Sequence, residues 1–138
     1  MNGFQGNGPA IPDAWSRVPA DIVRLLPDDY REFMLRHNGG HGDFPDHLIS
    51  LEPIEGLEEW NRLVEVTASF PEGAVLIGSN GGGEWYGFFI HNGRTVFGQV
   101  PAIGMEPDTI WEIPMTFSEF ISQPPAPPDE PGESIWPL

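Results

Sequence analysis

Between His37 and His47 the chain gathers His37, His41, Asp43, Asp46 and His47. Imidazole and carboxylate together can hold Zn²⁺ or Mn²⁺. Their spacing fits no HExxH or comparable signature, so no metal ligand is assigned. A Gly-rich run follows at Gly78-Ser79-Asn80-Gly81-Gly82-Gly83-Glu84-Trp85-Tyr86-Gly87. A phosphate cradle would need GxxxxGK[ST], and the chain has no Lys; a GxGxxG reading fails because Tyr86 stands where the third Gly belongs. Ser79 misses the GxSxG elbow because Ile77 occupies the first Gly position. Carboxylates adjoin at Asp28 and Asp29, Glu52 and Glu55, and Glu58 and Glu59. Acid/base catalysis needs two of them held across a substrate with separated pKa values, which sequence neighbours do not establish. No catalytic residue and no cofactor is therefore assigned. Glu84, after the glycines, is expected to accept hydrogen bonds from the turn amides.

These residues depend on the elements around them. Tyr30, Phe33, Met34 and His37 recur at helical spacing, which predicts a helix within Leu26–Gly40 with one face on a core. Pro27, Asp28 and Asp29 suit its start, Arg36 and His37 its end, and Asn38 and Gly39 a left-handed stop. Pro19 to Leu25 predicts a shorter helix, with Ile22, Val23 and Leu26 inward. His41 to His47 reads as a turn-rich loop and Leu48 to Leu51 as a strand. Leu57, Trp60, Leu63 and Val64 mark a third helical stripe, with Glu58 and Arg62 spaced to pair.

The second half changes to strand patterning. Ala74–Gly78 and Glu84–Ile90 predict strands, and Asn92-Gly93 predicts a hairpin between Phe88–Ile90 and Thr95–Phe97 because both turn residues accept positive φ. Thr109–Ile113 predicts one more strand. Thr116-Phe117-Ser118-Glu119 reads as a capping box, with Met115 and Phe120 placed as its hydrophobic staple. Trp60 and Trp111 are expected inward; of Trp85 and Tyr86, neighbours on a strand, one must be more exposed.

Length and charge bound the whole. A chain of 138 residues suits one domain. Its segments read as a flexible N-terminal stretch over 1–14, a folded domain over 15–123 and a Pro-rich acidic tail over 124–138. Six Arg, no Lys and 21 acidic residues give a formal net charge of -15. Such a surface repels nucleic acid and steers in a basic partner. Without Cys, disulfides and thiolate chemistry are excluded. The N-terminus lacks the basic and apolar regions of a secretory signal, and no apolar run reaches membrane-spanning length, so a soluble, cytoplasmic protein is expected.

The ordered motifs resemble the SMI1/KNR4 (SUKH) superfamily. Leu26-Pro27, Tyr30, Phe33, Leu35 and Asn38-Gly39-Gly40 match its LPxxYrxFlxxxNGG helix; Ile77 to Phe88 match its iGxxggGxxygf turn; Thr116 to Ile121 match its closing sfeeFi-like helix. The likeness spans about Val18 to Ser122. It implies a single α+β domain with helices packed on a predominantly antiparallel sheet. It also implies, for a bacterial member, an immunity protein that binds and neutralises a cognate toxin domain of a polymorphic or contact-dependent system, without catalysis. That partner would be a protein, basic in character, rather than nucleic acid or membrane. The rims of the two Gly-rich turns supply the candidate contact residues: Asn38, Asp43, Asp46, Asn80, Glu84 and Trp85. A regulatory scaffold of the SMI1/KNR4 type is the second reading. A metal-dependent hydrolase built on the His41–His47 loop is the third.

Overall fold

The computed structural model describes residues 4–44 and 47–122, and of Asp43, Phe44 and His47 the backbone alone. The expected Pro-rich tail, 124–138, lies outside these residues. Seven strands form one antiparallel sheet in chain order: β1 (Phe4–Gly6), β2 (Gly40–Phe44), β3 (His47–Leu51), β4 (Ala74–Ser79), β5 (Glu84–His91), β6 (Arg94–Pro101) and β7 (Trp111–Glu112). Among the described residues five α-helices accompany it: α1 (Ala20–Val23), α2 (Asp28–Arg36), α3 (Ile54–Leu63), α4 (Val66–Ser69) and α5 (Phe117–Ile121). The fold is the expected α+β domain.

Strand alternation divides the apolar side chains into two clusters. Val75, Ile77, Tyr86, Phe88 and Phe97 meet Tyr30, Phe33 and Met34 of α2 and Phe117, Phe120 and Ile121 of α5. Leu76, Phe89, Val96 and Val100 meet Val66 of α4 and Phe70. Tyr30 is fully buried, with its ring 5.3 Å from Phe88 and 5.1 Å from Phe117. The α2 stripe is thus the predicted one. Its stop falls on Gly39, φ 83°, where an L side chain would be strained. At the far end of the sheet Asn92 (φ 54°) and Gly93 (φ 80°) make the expected β5–β6 turn. The capping box holds as well: the Glu119 amide donates to the Thr116 hydroxyl at 3.1 Å, and the Thr116 amide donates to the Glu119 carboxylate at 2.8 Å.

Several expectations are corrected. Residues 4–6, placed in a flexible segment, form β1 because Phe4 is buried against Phe33, ring centroids 5.5 Å apart. The chain then stays tied to the end of α2, with Asn7 N–H donating to Gly39 O at 2.9 Å and Ala10 N–H to Leu35 O at 3.0 Å. The expected 41–47 loop is instead mostly strand, β2 pairing with β3 from Gly40↔Leu51 to Phe44↔His47. Its glycines, Gly40 and Gly42, conceal the alternation by which strands are read. In α3 the buried residues are Ile54, Leu57 and Asn61, while Leu63 is 65% exposed. The stripe is rotated because the helix turns Asn61 onto β4. The predicted Thr109–Ile113 strand shrinks to the two-residue β7, and Trp111 is 39% exposed because β7 is the sheet edge, with β6 alone beside it among the described residues.

The chain has two tyrosines, Tyr30 and Tyr86, and burial pushes both phenols above their ordinary range. Nearby carboxylates, Glu52 for Tyr30 and Glu84 for Tyr86, act in the same direction. A phenol held neutral by the fold stabilises it fully below the unfolded value of about 10, and that contribution falls as pH rises further. Each phenol contributes a slope of up to about 1.4 kcal/mol per pH unit over that window. Absorbance titration near 295 nm is therefore expected to show no phenolate step around pH 10 in the folded protein. Both phenols should ionise together with alkaline unfolding; an independent step near pH 10 would contradict the burial of Tyr30 or of Tyr86.

Candidate functional site

One end of the sheet brings together the start of β3, the β4–β5 turn and the start of the β6–β7 loop. β4 runs into the turn Asn80–Gly83, whose conformation is organised by Asn80. The Asn80 Oδ1 accepts from the Gly82 amide at 2.8 Å and the Glu84 amide at 3.1 Å, and its Nδ2 donates to Glu84 Oε1 at 2.6 Å. The Asn80 amide also donates to Glu84 O at 3.0 Å. Asn80, rather than Glu84, is therefore the acceptor for the turn amides; the Glu84 carboxylate receives the Asn80 side chain. A short amide side chain two residues before the amide it binds is a common way to close such a turn.

The neighbouring connections are bonded to this turn. On one side Leu48 N–H, near the start of β3, donates to Asn80 O at 3.3 Å. On the other, Ala102 N–H at the start of the β6–β7 loop donates to Gly83 O at 2.8 Å. Leu48 is 49% exposed and Ile103 is 93% exposed, although both are large apolar residues. They flank three exposed glycines, Gly81 to Gly83, that offer bare backbone between them. Trp85, half-buried where β5 leaves the turn, stands edge-to-face with half-buried Trp60 of α3 at 5.5 Å. Tyr86, its neighbour, is buried on the opposite face, as the strand period requires.

The six residues expected at the contact surface are not all brought together. Asn80, Glu84 and Trp85 share this end of the sheet. The Asp43 backbone lies in β2 opposite Leu48, and Asp46 lies outside the described residues. Asn38 has a structural task elsewhere. Its Oδ1 accepts from the Ile54 amide at 2.7 Å and its Nδ2 donates to Glu55 at 2.7 Å, so it caps the first turn of α3 across a sequence gap of 16 residues. Of the His and Asp residues weighed as a metal site, His37 packs its ring 5.3 Å from Phe33 and His41 is exposed on β2. Among the described residues no three His, Asp or Glu side chains stand close enough together to hold a metal ion. No helix among them is long and apolar enough to cross a membrane.

Two exposed apolar residues of this surface, Leu48 and Ile103, are not among the expected contact residues. Leu48 was read only as the start of a strand, and Ile103 was not singled out. Its signal is a lone large apolar residue between Ala102 and Gly104, outside any helical or strand period.

What the fold and this surface define is a small α+β domain, with a braced turn at one end of its sheet and apolar side chains displayed around it. The model of the SMI1/KNR4 family (SUKH-1) matches residues 9–123, and the chain belongs to that family. It is also similar to the uncharacterized protein YnaB of Bacillus subtilis (strain 168), with 37% identity over 75 residues. The match takes in 54% of this chain and 47% of that protein, so the chain spans about half the length of this relative.

Proposed function

We propose that this protein is an immunity protein, which binds a cognate toxin domain of a polymorphic or contact-dependent system and neutralises it by protein–protein contact without catalysis. Membership of the SUKH-1 family is the ground for the reading. The observation that carries it is the turn end of the sheet, where backbone and side-chain hydrogen bonds hold Leu48, Ile103 and the glycine turn in a fixed, exposed arrangement. Pre-organised apolar groups lose little freedom on docking, which favours a tight complex. The chain's charge of -15 favours a basic partner and disfavours nucleic acid. Its place of action is the cytoplasm, where an imported toxin must be met.

The test uses the toxin domain encoded beside this gene. Co-expression is expected to restore growth to cells making the toxin, and the purified proteins to form a one-to-one complex in which toxin activity is lost at stoichiometric addition. A purified chain that neither binds nor inhibits that domain overturns the proposal.

A further inference from the structure

We infer that the toxin meets this protein at the glycine-turn end of the sheet, through a basic protein surface that packs on Leu48 and Ile103 and reaches the Trp60–Trp85 pair. The inference rests on the immunity reading and locates its interface.

Three observations converge on this end. An isoleucine that is 93% exposed contributes almost nothing to the fold, and Leu48 is half-exposed beside it across the turn. Neither lies in a floppy segment, since Leu48 N–H is bonded to Asn80 O and Ala102 N–H to Gly83 O. Trp60 and Trp85 add large, half-buried rings, the side chains that most often anchor protein interfaces. Along the two loops the charge has one sign, although α3 carries exposed Arg62 near Trp60. Segments 80–85 and 101–109 carry Glu84, Glu106 and Asp108 and no Arg, Lys or His. An apolar centre with an acidic rim complements a surface that pairs apolar groups with Lys and Arg. At Gly83 nothing stands within 4 Å of where a side chain would begin, so that surface can approach the backbone there, while the Leu48 side chain lies against Gly81.

The experiment measures binding of the full chain to an inactivated form of the toxin domain encoded beside it, by titration calorimetry at two salt concentrations. Ile103→Arg and Leu48→Arg are each expected to weaken binding tenfold or more, because each sets a cation against a basic surface and removes an apolar contact. Ile11→Arg is the control, an exposed apolar residue of the N-terminal segment, and is expected to bind within twofold of the parent chain. Raising the salt concentration should weaken the parent complex. Ile103 is so exposed that its variant is expected to melt with the parent, and it decides the matter if Leu48→Arg proves unstable. Parent binding that survives both substitutions unchanged overturns the interface and leaves the immunity reading standing. Absence of parent binding overturns the immunity reading and this interface with it.

Discussion

Asn61→Leu is expected to lower folding stability by about 4 kcal/mol, among the larger costs a single substitution can impose. The side chain is of similar size, so the effect comes from hydrogen bonds rather than volume. Asn61 lies buried on α3, and its carboxamide acts as a substitute strand. Its Oδ1 accepts from the Leu76 amide at 2.7 Å, and its Nδ2 donates to Leu76 O at 3.0 Å and to Leu57 O at 2.9 Å. The substitute is needed because β3 pairs with β4 only at Ser50↔Ser79 and Leu51↔Gly78 before the chain leaves. Glu52 N–H still reaches Ile77 O at 2.9 Å, but Leu76 has no strand on that side. Leucine would leave the Leu76 N–H and C=O unpaired in a fully buried place, each costing about 1–3 kcal/mol. Denaturant melts should show the midpoint falling at constant slope. Asn61→Asp separates the causes: its carboxylate can still accept from the Leu76 amide but offers no donor to Leu76 O. Burial raises the pKa of that carboxyl, so the variant should be less unstable below pH 4, where an O–H can donate, and lose that advantage as pH rises. An Asn61→Leu protein within 1 kcal/mol of the parent would show that Leu76 finds other partners.

Asn61 also shows where the sequence stops being legible. Helix α2, the Asn92-Gly93 hairpin and the Thr116 capping box were readable because each rests on local chemistry: an apolar period, a turn that needs positive φ, a side chain reaching three residues. Asn61 serves a strand 15 residues away, and in the sequence it only interrupts an apolar stripe. Asn38 is similar, since nothing local tells that its amide caps α3. β1 and β2 escaped because a three-residue strand and a strand with two glycines have no period to detect. The surface was legible to the same degree. Asn80, Glu84 and Trp85 are legible through the glycines between two strands, whereas Leu48 and Ile103 become a pair only when β3 and the β6–β7 loop are bonded to the two sides of that turn.

The remaining large effect is expected at Gly78, where alanine should cost about 3 kcal/mol by forcing β3 from β4. Gly78 belongs to the Gly-rich run but not to its turn. It sits in β4, pairs with Leu51 and follows the irregularity at Leu76/Gly78 where the register shifts. Its φ is not positive, so backbone strain is not the issue. A Cβ there would collide with the Ser50 carbonyl oxygen, which is backbone and cannot rotate away. Among the described residues, the two-pair joint between β3 and β4 is the only strand pairing that ties the β1–β3 part of the sheet to the rest. Gly83→Ala provides the contrast: its φ is 99° and nothing stands within 4 Å of the added carbon, so only strain of about 1 kcal/mol applies. Hydrogen exchange distinguishes a parted joint from general softening. Gly78→Ala should accelerate exchange at the Glu52 amide, bonded to Ile77 O, far more than in the β5–β6 ladder. Uniform acceleration, or a cost no larger than that of Gly83→Ala, would refute the collision. The same substitution tests the coupling of fold to surface, since Leu48 hangs from β3 and the glycine turn from β4. Loosening their joint should weaken binding to the proposed toxin partner even though Gly78 itself is buried.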